Sequence, residues 1–340
     1  MTRSRLLLLT LGLALSALAI FLLVRSIDLT QAMHALERAT LAPIVAGTLL
    51  TVLVYFLRAV RWRDILLPEA QPGLPRLFSA TMVGFLAINT LPARLGELVR
   101  AYVLARTEKI RTATVLGSLA VERIFDLVML GVFWGVSLVF APVPGWFRWS
   151  GYVTVGLGIL VGGLLWAVYA TRGRTAAWSQ HPLIARLPEP IARAVSGAIP
   201  AFGAGIQAMG HPMLLARAAG WSAVIWVTSG SVFLFVAASL HIALPYWSIF
   251  FLTFVVCVGI SVPASPGFLG VMEGACVLGL SLLGTSGPVA LAFAIIYHVT
   301  QIIPPLLLGG YYFITQHLTL EMVQGSRGGE VAGGRKKRRQ

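Results

Sequence analysis

Three groups of charged or polar residues interrupt apolar stretches of the chain, and their residue types suit the binding of an anion. The first group, Arg94, Glu97 and Arg100, follows Pro92 and surrounds Gly96, two residues that can interrupt a helix. A helix that restarts there presents free backbone N–H groups and a positive dipole end, and arginine binds phosphate through paired hydrogen bonds. We therefore predict a phosphate-binding group here, although the arginines could instead be ordinary charges on the cytoplasmic side.

The second group is Glu122, Arg123 and Asp126, which lie inside the apolar stretch 112–140. Glu122 and Asp126 are four residues apart and share a helix face, while Arg123 can reach a neighbouring helix. A charge at the centre of a membrane helix costs roughly 2.5–3.5 kcal/mol on insertion scales. Three such charges are therefore not expected to face lipid, and they either line a binding site or form a structural ion-pair cluster.

The third group surrounds a break between two apolar stretches. It contains two prolines, which exclude a helix, and small residues that allow tight turns: Pro263, Ser265, Pro266, Gly267 and Gly270. Glu273 follows, and it is the only Asp, Glu, Lys or Arg between positions 217 and 321. A carboxylate in such a stretch needs a partner, which we expect Arg94 or Arg123 to supply. We predict that Ser265, Gly267 and Glu273 contribute to a binding site.

Two further sets of polar residues allow alternative interpretations. His298 and Gln301 lie three residues apart on one helix face, where they suit a binding site or a hydrogen bond between helices equally well. Arg58, Arg61 and Arg63 follow an apolar span. We interpret these three arginines as contacts to lipid headgroups that anchor the inner end of the span.

The composition indicates an integral membrane protein. Of the 340 residues 57% are hydrophobic and 11% are charged, whereas soluble globular domains carry about 25% charged residues. A soluble enzyme, a disordered chain and a disulfide scaffold are thereby excluded. The net charge is +14, but the basic residues lie between the apolar spans and in the tail. This distribution is typical of cytoplasmic loops near an anionic membrane surface, so nucleic acid is not expected as a partner. Cys257 and Cys276 lie in apolar stretches without zinc-site spacing, and we expect neither a metal nor a cofactor.

The apolar stretches predict an all-α polytopic fold with six transmembrane helices and two re-entrant hairpins. The six spans are 6–24, 41–57, 112–140, 151–170, 218–240 and 289–314. The first could be a signal peptide, but it exceeds the usual 7–15 apolar residues, so we expect it to be retained. The hairpins pair 77–91 with 95–107 and 247–262 with 271–286, because each stretch is too short to cross alone. Such breaks occur only beside protein or a water-filled cavity, and each therefore indicates a cavity.

The distribution of lysine and arginine predicts that both termini are cytoplasmic. With this orientation 22 of these residues lie inside and 3 outside. The domain is then a single membrane unit, 1–315, containing a cytoplasmic polar segment, 171–217, and followed by a basic, disordered tail, 316–340. The order of span, hairpin and span occurs twice with opposite direction, which is the inverted-repeat plan of many secondary transporters.

The residues around these breaks resemble the transmembrane region of the lysylphosphatidylglycerol synthase family, a flippase-like family related to the membrane half of the multiple peptide resistance factor. The resemblance covers roughly residues 10–315. It rests on LPARLGELVRAY at 91–102, ERIFD at 122–126, and PASPG at 263–267 with Gly270 and Glu273. Residues 58–63 look like the first basic motif of the family.

The resemblance implies a multi-pass protein of the bacterial inner membrane that translocates a lipid with a phosphate-containing headgroup. Anionic phospholipids, polyprenyl-phosphate-linked glycans and hopanoid-type lipids are the implied substrate classes. Only 25 residues follow position 315, so we expect no synthase domain and no enzymatic activity. No Walker A motif is present, so we do not expect ATP to drive the process directly. The alternatives are a lipid-modifying enzyme and a membrane subunit that works with partners in envelope-lipid biosynthesis.

Overall fold

The computed structural model describes residues 3–91, 96–141, 143–171, 189–261 and 265–316. These residues form helices and contain no strand, which confirms the predicted all-α class. The first seven helices are α1 (Arg3–Ser26), α2 (Leu29–Glu37), α3 (Leu41–Leu66), α4 (Leu74–Thr90), α5 (Gly96–Glu108), α6 (Thr112–Phe140) and α7 (Gly145–Ala170). The remainder are α8 (Glu189–Gly205), α9 (Pro212–Ser239), α10 (Ser248–Ser261), α11 (Val271–Leu282), α12 (Gly287–Pro304) and α13 (Gly310–Thr315).

Five helical segments of the described chain are long and apolar enough to cross a membrane. They are α3, α6, α7, α9, and α12 with its continuation to Thr315 through a π-helical turn, Pro305–Gly309. A sixth comes from Ser16–Ser26 and α2 together, which are bent by 89° at their junction. The chain is therefore a multi-pass membrane protein, as the composition predicts.

The spans α3 and α9 form the central antiparallel pair of the fold. At one end, the Thr40 N–H donates to the Ser239 carbonyl at 2.9 Å. At the other end, Arg217 and Trp221 both donate to the buried carboxylate of Asp64, at 3.0 and 3.1 Å. Because polar contacts hold both ends, the two helices are fixed in register along their whole length.

Each of the two broken segments folds back on itself as a helical hairpin. In the first hairpin α4 packs on α5, and Arg76 pairs with Glu108 at 3.2 Å at the open end. In the second hairpin α10 packs on α11 so closely that a Cβ on Gly259 would lie 2.6 Å from the Cβ of Ala275. Close glycine contacts keep the arms of both hairpins together. The turn residues Pro92, Arg94 and Pro263 lie outside the described residues.

The helix contacts repeat between the two halves of the fold. Helices α3 to α6 correspond to α9 to α12: α3 packs on α4 as α9 packs on α10, and α5 packs on α6 as α11 packs on α12. Across the halves, α10 contacts α6 just as α4 contacts the π-helical turn after α12. With the antiparallel α3–α9 pair at the centre, this arrangement agrees with the inverted repeat expected from hydropathy.

The observed helix bounds correct several predicted ones. Helix α3 continues to Leu66 instead of ending at position 57, and α9 begins at Pro212 instead of 218. Part of the predicted polar segment 171–217 is also helical, because α8 packs against α6. The helices extend further than hydropathy suggests because their charged residues find partners inside the protein rather than in water.

Candidate functional site

Helices α3, α5 and α6 bring seven charged side chains together, and four of them are buried. We call this group the ion cluster; its members are Arg58, Arg61, Glu97, Arg100, Glu122, Arg123 and Asp126. Five of them were predicted as site residues from the sequence. Each helix contributes residues that lie on the face turned toward the other two helices, so the cluster is a product of tertiary packing.

Glu122 is the centre of the cluster. Its Oε1 accepts from the guanidinium groups of Arg100 at 3.0 Å and Arg123 at 2.9 Å, and it lies 3.1 Å from Nη2 of Arg61. The side chains of Glu122 and Arg61 are fully buried. Such a charge is tolerated inside a protein only when paired, because an unpaired buried ion is costly. The three arginines therefore hold Glu122 in its ionised form.

Asp126 forms the second centre, one helical turn further along α6. It accepts from Nη1 of Arg61 at 2.9 Å and from the indole N–H of Trp226 at 3.1 Å, and Arg123 lies 3.0 Å away. Arg61 also donates to the Ser222 hydroxyl at 2.8 Å. Trp226 and Ser222 lie on α9, so Asp126 connects the cluster to the opposite half of the fold.

Arg58 is the member of the cluster with the weakest pairing. Its Nη1 lies 3.7 Å from Asp126 and 4.0 Å from Glu122, whereas the other arginines approach a carboxylate to 3.1 Å or less. Counted over the described residues, the cluster contains four arginines and three carboxylates. It therefore carries one excess positive charge, and Arg58 is the arginine best placed to offer it to a ligand.

The second break is organised by Glu273 and His298. His298 Nδ1 lies 2.5 Å from Oε1 of Glu273, and its Nε2 lies 2.8 Å from the carbonyl oxygen of Gly267. The other carboxylate oxygen of Glu273 accepts from the backbone N–H of Gly270 at 2.7 Å. Gly267 and Gly270 both have positive φ, 72° and 81°, which explains why glycine occupies these positions. The break is thus closed by side chains from α11 and α12.

A cavity of about 190 Å³ lies between the two breaks. Arg58 and Tyr55 of α3, Asn89 of α4, and Gly267 and His298 from the second break all line it. The second break contacts the last turn of α4, since a Cβ on Gly267 would lie 3.4 Å from the Asn89 carbonyl oxygen. Apolar residues of α3, α9, α10 and α12 form most of the remaining wall. The sequence prediction that the two breaks lie beside a cavity agrees with this arrangement.

The structure corrects two expectations about partners. Glu273 is paired with His298, not with Arg123, while Arg94 lies outside the described residues. Arg58 and Arg61 belong to the ion cluster instead of contacting lipid headgroups. Their spacing of three residues was a usable signal, because it places both on one helix face once α3 is allowed to continue beyond position 57.

The other predicted site residues occupy different surroundings. Glu97 and Arg123 pair at 3.6 Å at the partly exposed edge of the ion cluster. The Ser265 N–H donates to the Ser16 hydroxyl of α1 at 3.0 Å, so Ser265 faces α1. Gln301 lines the cavity. Among the residues with described positions, no group of three His, Cys, Asp or Glu side chains could hold a metal ion.

Comparison with known proteins identifies a family and a curated relative. The sequence profile of the lysylphosphatidylglycerol synthase transmembrane region matches residues 9–309, which is most of the chain. The chain is also similar to Glycosyltransferase AglD of Haloferax volcanii, with 27% identity over 325 aligned residues. The match covers 85% of this chain and 51% of that protein, so the chain spans about half the length of this curated relative.

Proposed function

Because the chain belongs to the lysylphosphatidylglycerol synthase transmembrane-region family, we propose that it is a flippase-like transporter of a lipid with an anionic headgroup. The substrate classes are an anionic phospholipid, a polyprenyl-phosphate-linked glycan and a hopanoid-type envelope lipid. The common chemical feature of the first two is a phosphate attached to a long apolar chain. The membrane in this proposal is the inner membrane, with both termini in the cytoplasm.

The observation that carries this proposal is the position of Arg58 at the wall of the cavity between the breaks. The ion cluster has one positive charge more than its carboxylates neutralise, and Arg58 has the longest carboxylate contacts. A phosphate monoanion would balance this charge and accept hydrogen bonds from the guanidinium group. Without such a ligand the cluster keeps a buried net charge, which the interior of a membrane protein disfavours.

The size of the cavity supports a headgroup ligand rather than a whole lipid. Pockets for drug-sized molecules enclose about 300–1,000 Å³, and this cavity encloses about 190 Å³. A phosphate with part of its attached sugar or glycerol fits this volume, whereas two acyl chains or a polyprenyl chain do not. The apolar chain would therefore remain outside the cavity, in the bilayer, while the headgroup passes between the hairpins.

A lipid-movement assay tests the proposal. The purified chain is reconstituted into liposomes with a trace of phosphatidylglycerol, polyprenyl phosphate or phosphatidylcholine that carries a fluorescent label on its apolar chain. Dithionite then bleaches the label in the outer leaflet. We expect the protein to expose the inner-leaflet label of at least one phosphate monoester or diester anion but not of zwitterionic phosphatidylcholine. Equal rates for all three lipids, or no movement of either anion, would contradict the proposal.

Variants of Arg58 make the test specific. Arg58→Gln should slow movement of the anionic lipid about 10- to 100-fold, because a hydrogen bond to a charged group contributes roughly 1.5–3 kcal/mol. Arg58→Lys keeps the charge and should retain more activity than Arg58→Gln. The matched control is Arg63→Gln on the same helix, since Arg63 is not a member of the ion cluster. An Arg58→Gln rate equal to that of Arg63→Gln would place the phosphate elsewhere.

A second candidate function is that of a membrane enzyme, or the membrane part of one, acting on a lipid-linked substrate. The similarity to Glycosyltransferase AglD favours it, although the chain matches only 51% of that protein. Glu273 and His298 are the pair with acid–base character beside the cavity. Incubating the purified chain with labelled polyprenyl phosphate and nucleotide sugars decides the matter: product formation would support the enzyme, and its absence alongside lipid movement would support the transporter.

A further inference from the structure

The hydrogen-bond geometry of His298 fixes how many protons the second break holds. The Gly267 carbonyl can only accept, so Nε2 of His298 must carry a hydrogen. The 2.5 Å contact between Nδ1 and Glu273 requires one shared hydrogen, since two bare acceptors would repel each other. Whichever of the two atoms carries that hydrogen, the pair has no net charge. We call His298 and Glu273 together the proton pair.

Removal of the shared proton changes both the charge and the bonding of the break. The deprotonated pair carries one negative charge, and the lone pair of Nδ1 then faces the carboxylate. Glu273 also holds the N–H of Gly270, and His298 holds the carbonyl of Gly267. The shared proton therefore links α11, α12 and the break. Its loss weakens the hydrogen bond between Glu273 and His298 that holds these three elements together.

The proton pair and Arg58 meet at the same cavity, because His298 lines it together with Arg58, and Glu273 contacts His298. Besides Arg58, the other titratable side chains that line the cavity or lie on α11 are Tyr55, Cys257, Cys276 and Tyr297. Helix α2 also packs on α12, but its His34 and Arg38 lie beside Ser286 and Pro288 at the start of α12. Tyrosine and cysteine are ordinarily neutral at pH 7. Apart from the pair itself, Arg58 is thus the charged group among the described residues of the cavity wall.

We propose that the proton pair is the coupling site of the transporter, at which one proton binds together with one anionic headgroup. This inference rests on the proposed function. With the pair protonated, the cavity offers the excess positive charge of the ion cluster to the phosphate. With the pair deprotonated, a negative charge lies on Glu273, next to His298 of the cavity wall, and it opposes the phosphate. Headgroup and proton therefore favour each other's binding, and a pH gradient can drive the lipid.

Thermodynamic reciprocity gives this coupling a definite sign. If the headgroup binds better to the protonated pair, then headgroup binding must also increase the affinity of the pair for its proton. Lipid affinity is consequently greatest at low pH, where the pair holds its proton. It falls as the pH rises through the range in which the pair loses that proton. For one coupled proton, the dissociation constant rises about tenfold for each pH unit in that range.

Binding-linked proton uptake tests the proposal directly. Short-chain phosphatidylglycerol is added to the purified full chain in weakly buffered detergent containing a pH-indicator dye, at successive pH values. We expect uptake to pass through a maximum of about one proton per bound lipid. Phosphatidylcholine should cause none. If phosphatidylglycerol binds at every pH without proton uptake, the proposed proton coupling is contradicted, while the proposed anion-binding site at Arg58 is retained. If phosphatidylglycerol and a short-chain polyprenyl phosphate both fail to bind, the proposed function fails first.

Two variants assign the uptake to the pair. Glu273→Gln reproduces the hydrogen bonds of the neutral pair without a dissociable proton, and His298→Gln removes the ring. Each should abolish proton uptake. The matched control is His34→Gln, because His34 and Glu37 form a second His–Glu contact, at 3.3 Å, on the exposed face of α2. His34→Gln should keep the wild-type uptake, and uptake that persists in both Glu273→Gln and His298→Gln overturns the proposal.

A proton titration without lipid tests the same proposal for a variant that does not bind lipid. Alkaline titration of the folded protein should release about one proton fewer from Glu273→Gln than from the wild type. Reconstituted wild-type protein should also accumulate labelled phosphatidylglycerol about tenfold across a gradient of one pH unit, without an added potential. Equal proton release from the two proteins, or an even lipid distribution during rapid movement, contradicts the coupling.

Discussion

Arg61 connects both carboxylate centres of the ion cluster to α9. It contacts Glu122 and Asp126 on α6 and the Ser222 hydroxyl on α9, and its side chain is fully buried. Removing one partner of a buried ion pair is strongly destabilising, because it leaves the other charge without compensation. Arg61 therefore stabilises the fold, whereas Arg58, with its long contacts, is available to a ligand.

This division of roles predicts that substitution of Arg61 mainly lowers stability, whereas substitution of Arg58 mainly lowers activity. Arg61→Met, which keeps most of the side-chain volume, should lower the free energy of unfolding by about 3–5 kcal/mol. Arg58→Met should lower it by much less and should mainly impair lipid movement. Denaturant titration of the purified protein in detergent micelles measures the first effect, with Arg63→Met as the control. Equal destabilisation by Arg58→Met and Arg61→Met would refute the separation.

At the residue scale, the sequence indicates which side chains are buried and charged, but not how they pair. Glu122 and Asp126 are recognisable because a carboxylate in an apolar helix must have a partner. The partner of Glu273 is not recognisable in this way, because His298 is neutral in a formal charge count and lies 25 residues away. Pairing across helices depends on tertiary packing, which spacing along one helix does not contain.

At the scale of helices, the hairpin α4–α5 depends on close backbone contact beside the break. A Cβ on Gly96 would collide with the carbonyl oxygen of Gly84 and with Ile88. A Cβ on Gly84 would in turn lie 2.7 Å from the Cβ of Arg100. The position of Arg100 in the ion cluster is therefore tied to the absence of side chains at these two glycines.

Substitution of Gly96 should consequently disturb the site as well as the hairpin. Gly96→Ala should destabilise the protein by about 1–3 kcal/mol, the usual cost of overpacking, and should reduce lipid movement by displacing Arg100. The control is Gly135→Ala on α6, where a Cβ would meet nothing within 4 Å. Because alanine favours a helix over glycine by about 1 kcal/mol, Gly135→Ala should be neutral or stabilising. Thermal unfolding and the lipid-movement assay measure both effects.

The helices themselves are largely predictable, since composition and the two proline-containing breaks indicate both the spans and the hairpins. Their ends are less so. Arg58 and Arg61 follow an apolar stretch, which is typical of a loop at the membrane surface, yet α3 continues through both. Hydropathy assigns each residue the free-energy cost of exposure to lipid. It does not include the ion pairs that a charged residue forms with another helix, and it therefore places the end of α3 too early.

For the whole molecule, the buried arginines also change the basis of the predicted orientation. Arg58, Arg61 and Arg100 were counted on the inside, but they lie in the ion cluster. Excluding these three leaves 19 lysines and arginines inside against 3 outside, so the charge bias still favours cytoplasmic termini. Among the remaining inside residues, Lys109 and Arg111 lie between α5 and α6, and Arg63, Arg76 and Arg106 lie within three residues of a helix end, positions to which the positive-inside rule applies.

Cysteine labelling tests this orientation. In a background without the two native cysteines, Lys109→Cys should react with a membrane-impermeant maleimide only after the cells are opened. Ser286→Cys, at the start of α12, should react in intact cells. Both positions are exposed in the structure. Reaction of Lys109→Cys in intact cells would invert the orientation of the first hairpin, and labelling of both sites from one side would contradict the topology.

The contact between α1 and the second break has a consequence for biosynthesis. The Ser16 hydroxyl accepts from the Ser265 N–H, a partner 249 residues later in the chain, and Gly270 packs against the same stretch of α1. At about 5–20 residues per second of translation, α1 waits on the order of 10–50 s for that partner. The first span therefore enters the bilayer long before it can dock, and closure of the second hairpin onto α1 belongs among the last steps of assembly, after the central α3–α9 pair has been synthesised.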